Sequence, residues 1–208
     1  MLLADEFYFV AHEYTTGKPR LQPSAAGLGL ASGLLGELVL LGRITVRDGT
    51  LAILDPRPPE DALAHATLDA LAGDRRQRAV RTWLAVLGET AVEDVANRLL
   101  RAGYLKIKGV RRGFRTVVTY LPVDASTAAW PANRLHHMFT TYTPMTVPDA
   151  MLAGLASATG LTDRILRDGG AHARRYFVHA LESLPAPLRE LTAQTEALVG
   201  AAVREQRQ

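Results

Sequence analysis

Seven basic residues fall within a stretch of 18 positions near the middle of the chain, and no acidic residue interrupts them. Guanidinium and ammonium groups at this density attract phosphate oxygens, which arginine binds in a bidentate manner. The chemistry available to this basic segment is therefore the binding of an anionic partner. Its members are Arg98, Arg101, Lys106, Lys108, Arg111, Arg112 and Arg115.

The rest of the chain carries the opposite charge. The full sequence has 208 residues, 24 of them basic and 21 acidic, for a formal net charge of +3. Without the basic segment, 17 basic and 21 acidic residues remain, which leaves a net charge of −4. We therefore expect a mildly acidic body that carries one strongly basic segment, and such a segment attracts anionic partners.

Other chemistry finds little support in the sequence. The chain has no cysteine, which excludes disulfides, thiolate metal ligands and a thiol nucleophile. No two histidines lie one helix turn apart beside a carboxylate, as a catalytic metal site usually requires. Neither a Gly-x-Ser-x-Gly nor a Gly-x-x-x-x-Gly-Lys motif occurs. We therefore predict a protein that is not an enzyme and that uses no cofactor or metal. The histidines are His12, His65, His136, His137, His172 and His179.

A long apolar stretch over 25–41 predicts a helix at the centre of the fold, with Ser24 as its N-cap. Its first 12 residues are uncharged and Glu37 interrupts it, and a carboxylate is costly at the centre of a bilayer. We therefore expect a buried core helix rather than a membrane span. Small residues at helical spacing give it a face that other helices can approach closely; these are Gly29, Gly33 and Gly36.

Most of the remaining pattern is helical. An Asp48-Gly49 pair between alternating residues of 43–54 predicts one short hairpin. From Pro131 onward we expect helices throughout, the first of them beginning next to this proline. The predicted fold class is mainly α, with a single globular domain over 1–208, an apolar central helix and two short β-hairpins. The helices are placed near 5–14, 25–41, 59–72, 79–87, 91–102, 132–142, 149–159, 163–167, 171–183 and 188–204.

The second predicted hairpin carries most of the basic segment. A helix over 91–102 ends at Gly103, and the β-branched and aromatic content of residues 104–121 favours two strands. Lys106 and Lys108 alternate with apolar residues, so we expect both lysines on one face of the first strand.

The start of the chain is acidic, whereas a signal peptide begins with positive charge. Together with the interpretation of 25–41 as a core helix, this predicts a cytoplasmic protein. Any contact with a membrane is then expected to be peripheral.

Three hypotheses account for the basic segment. In the first, its charges only solvate an exposed hairpin and protect its edges from aggregation. In the second, they bind an anionic membrane surface or lipid headgroup, with each basic residue contributing about 1 kcal/mol. As an alternative from another class, the helix 91–102 and the wing 104–121 would form a winged-helix module that binds nucleic-acid phosphates.

Several motifs in order give the chain a family resemblance. The most specific is Glu-Leu-Val-Leu-Leu-Gly-Arg-Ile over 37–44, which follows the glycine-rich apolar helix. Others lie at 2–8, 16–18, 83–87 and 99–105. This order resembles the Golgi phosphoprotein 3 family, which consists of phosphoinositide-binding peripheral membrane proteins with many bacterial homologues.

The resemblance implies a mainly helical domain with a projecting hairpin that contributes to membrane contact and to self-association. Eukaryotic members bind phosphatidylinositol 4-phosphate through a tryptophan and several basic side chains, and they act as adaptors for the tails of Golgi glycosyltransferases. In this chain Gln22 and Ala31 stand where the family has that tryptophan and its first arginine. Anionic phospholipid is therefore expected to bind through the basic segment itself, with a homo-oligomer formed through 104–121 and with unidentified protein clients.

Overall fold

The computed structural model describes residues 1–74, 76–112, 115–167 and 169–205, without the side chains of residues 110–118. These ranges contain ten helices and two antiparallel strand pairs, which confirms the predicted mainly α fold with two hairpins. The elements are α1 (Leu3–Ala11), α2 (Pro23–Leu40), β1 (Ile44–Arg47), β2 (Thr50–Ile53), α3 (Ala62–Gly73), α4 (Val80–Gly88), α5 (Ala91–Arg101), β3 (Leu105–Arg112), β4 (Arg115–Pro122), α6 (Ala125–Thr141), α7 (Val147–Ala158), α8 (Thr162–Leu166), α9 (Ala171–Glu182) and α10 (Ala186–Glu205).

Helix α2 is the centre of the fold. Residues 25–38 are all buried, because a helix that is apolar all round has no face that favours water. By length and composition α2 is apolar enough to cross a membrane, but most of it is buried inside the protein. One hydrophobic cluster joins it to buried residues between Leu3 and Val199. The predicted core helix is therefore confirmed.

The glycine face of α2 is where α1 crosses it. A Cβ atom on Gly29 would overlap the ring of Phe7, and one on Gly33 would lie 3.0 Å from the Cα atom of Ala4. These positions therefore have no room for a side chain, which confirms the packing role predicted for the glycines.

The start of α2 differs from the prediction. The N-cap is Gln22, and Pro23 occupies the first turn, so the prediction that Ser24 caps the helix was wrong. Proline suits this position because it has no backbone N–H that needs an acceptor.

Helix α6 begins earlier than predicted and contains Pro131 in its interior. The carboxylate of Asp124 accepts hydrogen bonds from the backbone N–H groups of Ser126 and Thr127, and it thereby caps the helix. This cap starts the helix six residues before the proline, which then costs one interior hydrogen bond. As a consequence Trp130 lies on a helix and not in a connecting loop.

Both predicted hairpins are confirmed. In the first, Asp48 and Gly49 have φ angles of 52° and 71°, as a two-residue type I′ turn requires. Their N–H groups donate to the carboxylate of Glu190 in α10, which fixes this hairpin to the body. In the second hairpin, eight residue pairs run from Leu105↔Pro122 to Arg112↔Arg115.

Replacement of Gly29 by alanine tests the crossing of α1 and α2. We expect Gly29→Ala to lower the free energy of unfolding by about 1–3 kcal/mol, because its Cβ atom must displace the buried ring of Phe7. The control is Gly73→Ala at the end of α3, where a Cβ atom meets nothing within 4 Å; there we expect no loss and a gain of up to about 1 kcal/mol. Urea unfolding followed by circular dichroism measures both. Equal stability of the two variants would contradict the packing described.

Candidate functional site

The lysines of the basic segment lie on a ribbon that leaves the body. At its base Leu105 is buried in the core. One residue further Lys106 is exposed, Ile107 is 55% exposed although it is apolar, and Lys108 is exposed. An isoleucine exposed between two exposed lysines means that the β3 side chains on both faces of the strand reach solvent there. Strand β3 is therefore exposed beyond Leu105, whereas Tyr120 of β4, which is paired with Ile107, is partly buried against the core.

The arginines of the segment fall into two groups. Arg101 ends α5 and is exposed, and its Nε donates to the carbonyl oxygen of Asn97 at 3.3 Å. Arg111, Arg112 and Arg115 have backbone positions in β3 and β4, and their side chains lie outside the described residues. A headgroup-binding role for these side chains remains a prediction.

Arg98 is placed elsewhere. Its side chain is 8% exposed and lies inside the protein, where it meets three carboxylates. Nε donates to Asp5 at 2.8 Å, both Nη atoms donate to Glu37 at 3.0 Å, and Nη1 also donates to Asp61 at 3.1 Å. The predicted set of exposed basic residues is therefore corrected: Arg98 is not part of it, because its guanidinium is fully engaged by carboxylates of the protein itself.

The buried charges of this cluster affect one another's pKa. Burial raises the pKa of Glu37, because desolvation penalises the carboxylate more than hydrogen bonds from Arg98 and from the Ala4 N–H favour it. Burial alone would lower the pKa of Arg98, but the hydrogen bonds and charges of Glu37, with those of Asp5 and Asp61, raise it overall. The arginine therefore stays charged, and it holds the three acids together.

These carboxylates converge on a guanidinium and not on a metal. Among the residues that the structure describes, no group of three histidine, aspartate or glutamate side chains is placed to hold a metal ion. Sequence reasoning missed the cluster because its members lie far apart in the chain. One signal was available: Glu37 is the single charge in an apolar helix and needs a buried cation.

The positions that the resemblance assigns to lipid-binding residues are unsuited to that role. Gln22 is exposed at the start of α2 and could meet a ligand, but it offers neither a ring nor a charge. Ala31 is completely buried in the core helix. In this fold, residue 31 has no path to solvent.

Helix α5 is poorly placed to read a nucleic-acid groove. It lies against α1, α2 and α3, and of its 11 residues only Glu93 and Arg101 are exposed. A recognition helix must present several side chains to base edges and phosphates. The arrangement therefore gives the winged-helix hypothesis no support.

Removal of the buried guanidinium tests whether it is structural. We expect Arg98→Met to lower the free energy of unfolding by about 3–5 kcal/mol, because it leaves buried carboxylates without a partner. The matched control, Arg101→Met, makes the same change at an exposed position of the same helix and should cost about 0.5 kcal/mol or less. The double variant Arg98→Met/Glu37→Leu removes one orphaned carboxylate and should recover part of the loss. Chemical denaturation compares all three, and similar losses for Arg98→Met and Arg101→Met would exclude a structural role.

The chain is similar to a known protein family over nearly its whole length. A family model described as Golgi phosphoprotein 3 (GPP34) matches residues 3–208. No curated protein matches the sequence. The matched region runs from α1 to the end of α10, so it includes the C-terminal helices as well as the motifs of the first half.

Proposed function

The chain belongs to the Golgi phosphoprotein 3 family, and from this premise we propose that it is a non-enzymatic peripheral membrane protein that binds anionic phospholipid. The β3–β4 hairpin is the proposed contact, through Lys106, Lys108, Arg111, Arg112 and Arg115, together with Arg101 at the end of α5. The observation that carries the proposal is the exposure of Lys106, Ile107 and Lys108 on strand β3.

The physical basis is additive electrostatics. A basic residue close to an anionic membrane contributes about 1 kcal/mol, so several residues on one projecting ribbon give useful affinity without a shaped site. The exposed apolar side chain of Ile107, set between two lysines, can enter the headgroup layer while the ammonium groups stay at its surface.

Selectivity for phosphatidylinositol 4-phosphate is not part of this proposal. Gln22 and Ala31 replace the family's tryptophan and first arginine, and Ala31 is buried. We therefore expect the hairpin to distinguish anionic from neutral membranes by charge, with little preference among anionic headgroups.

Loss of the hairpin arginines tests membrane binding. The triple variant Arg111→Gln/Arg112→Gln/Arg115→Gln should weaken binding to vesicles of phosphatidylserine and phosphatidylcholine by roughly 100-fold at low salt, at about 1 kcal/mol per charge. The difference should shrink as salt is raised, since screening weakens exposed charges. Vesicle co-sedimentation at two salt concentrations measures it.

The control for this test removes the same net charge elsewhere. Arg47, Arg175 and Arg204 are exposed on other elements, and their joint replacement by glutamine should leave binding within about twofold. Equal losses in the two triple variants would mean that only net charge matters, and the hairpin would not be the contact.

The hairpin is also proposed as the contact between copies of the chain, in line with the family. Lys108 and Thr119 are paired across the strands, so a two-residue Asn-Gly turn can replace residues 109–118 and keep Tyr120, which packs against the core. We expect this shortened protein to be monomeric by light scattering at concentrations where the full chain associates. The arginine triple variant keeps the strands and should keep the association; an oligomer in the shortened protein would refute the proposal.

A further inference from the structure

A second group of cations lies outside the basic segment, around a cavity between the α1–α2 loop, α6 and α8. The cavity has a volume of about 490 Å³, and Tyr14, Trp130 and Arg167 contribute to its lining. Arg164 lies over the ring of Tyr14, with its Cζ atom 6.0 Å from the ring centroid. Arg20 lies close enough to disfavour the charge of Arg164. We call this group, Tyr14, Arg20, Trp130, Arg164 and Arg167, the Arg164 pocket.

Arg164 lacks the partners that other inward-facing arginines have. Its Nε is buried and has no hydrogen-bond partner, and no ion pair to it is found within the described ranges. Burial, and then the charges of Arg20 and Arg167, lowers the pKa of its guanidinium. The Nε atoms of Arg43 and Arg134 are also buried without a partner, but their guanidinium groups are paired with Asp55 and Glu6. The Arg164 pocket therefore gathers three guanidinium groups, against which Glu13 sets one negative charge.

The acidic residues near this pocket do not neutralise it. Glu13 is partly buried and accepts a hydrogen bond from Thr16. Its single negative charge acts on both Arg164 and Arg20, so it offsets only part of their positive charge. Asp124 is committed to the cap of α6. Asp163 points away to solvent and is 3.8 Å from Arg174. An external anion is therefore the natural partner of the pocket.

Arg167 is held in place at a conformational cost. It follows α8 with φ 39° and ψ −127°, a combination that favours glycine. Its Nη2 donates to the side-chain oxygen of Asn133 in α6 at 3.2 Å. Backbone strain of this kind is retained mainly at functional sites. The strain at Arg167 therefore indicates that its side chain has a role that glycine could not fill.

The rim of the pocket is aromatic and lies beside the hairpin. Trp130 is 56% exposed and Tyr14 is 38% exposed, and such rings are enriched where one side is apolar and the other is wet. The loop that carries Tyr14 packs on the base of β4: a Cβ atom on Gly17 would overlap the carbonyl oxygen of Tyr120. The pocket and the base of the hairpin are therefore neighbours on the surface.

We propose that the Arg164 pocket binds a phosphomonoester group, with Arg20, Arg164 and Arg167 as donors. A phosphomonoester carries close to two negative charges at neutral pH and three acceptor oxygens, which suits three guanidinium groups that one carboxylate only partly offsets. A phosphodiester carries one charge and fits less well. The exposed rings at the rim favour a lipid headgroup as the source of the phosphate, and this source, unlike phosphate binding itself, rests on the proposed function.

Two arms of one experiment separate the possible sources of the phosphate. The first measures the binding of soluble glycerol 3-phosphate by calorimetry. The second compares vesicles of phosphatidylcholine with phosphatidic acid, a phosphomonoester, and with phosphatidylglycerol, a phosphodiester, at matched surface charge. We expect about a tenfold preference for phosphatidic acid, which corresponds to one or two additional charge-assisted hydrogen bonds.

Variants separate this pocket from the hairpin. Arg164→Gln/Arg167→Gln should abolish the preference for phosphatidic acid, so that the two anionic vesicles bind with equal affinity. The hairpin triple variant should weaken binding to both vesicles and keep the preference. Arg167→Gly relieves the strained backbone, so its melting temperature should not fall while the preference is lost. That result would separate lost recognition from lost folding.

The outcomes are distinct. If glycerol 3-phosphate and phosphatidic acid both show no dependence on Arg164 and Arg167, the pocket proposal is overturned. If glycerol 3-phosphate binds in a manner that depends on these arginines but the vesicles show no preference, phosphate binding stands and the lipid source is refuted. If the hairpin triple variant binds all vesicles as the wild type does while the pocket variant loses its preference, the pocket proposal stands and the proposed hairpin contact fails.

Discussion

The ion pairs of Arg98 with Asp5 and Glu37 join the parts of the fold on which the rest depends. They connect α5 to α1 and α2 in the interior, and Asp61, the N-cap of α3, closes the cluster. Charges at this depth are costly unless each is paired and hydrogen-bonded. The cluster meets that condition, because Glu37 also accepts the N–H of Ala4 in the first turn of α1. Its place fixes the hairpin as well, since only three residues separate the end of α5 from β3.

A second ion-pair cluster uses the neighbouring residue of α1. The guanidinium of Arg134 in α6 makes two hydrogen bonds to Glu6, at 2.8 and 2.6 Å, and lies 2.8 Å from Asp149 in α7. Adjacent residues of a helix point about 100° apart, so Asp5 and Glu6 reach α5 on one side and α6 on the other. Both surfaces proposed to meet lipid, the hairpin after α5 and the pocket beside α6, are therefore positioned by the same short helix.

Local features of the sequence were predictable, and distant pairings were not. Asp48-Gly49 specifies a turn by its own backbone preferences, and the composition of 25–38 is enough to require burial. The prediction that α6 begins next to Pro131 was wrong, because it rested on the proline alone. The cap at Asp124 sets the earlier start of the helix. The role of Arg98 was missed because a count of charges along the chain does not say which way a helical side chain points. Its spacing of three residues from Val95 and of seven from Ala91, both buried, places it on the inner face of α5.

The internal ion pairs also change the meaning of the charge count. Outside the basic segment the chain has a net charge of −4. Three of the acids are turned inward to Arg98, and Glu6 and Asp149 together exceed Arg134 by one charge. Arg98 itself belongs to the basic segment, so six basic residues of that segment remain for an external anion. The acids paired with Arg98 and Arg134 keep their charge, but they lie mostly inside the protein and form no exposed acidic face. A face of that kind beside the hairpin would be repelled from an anionic membrane and would offset the charge of the hairpin.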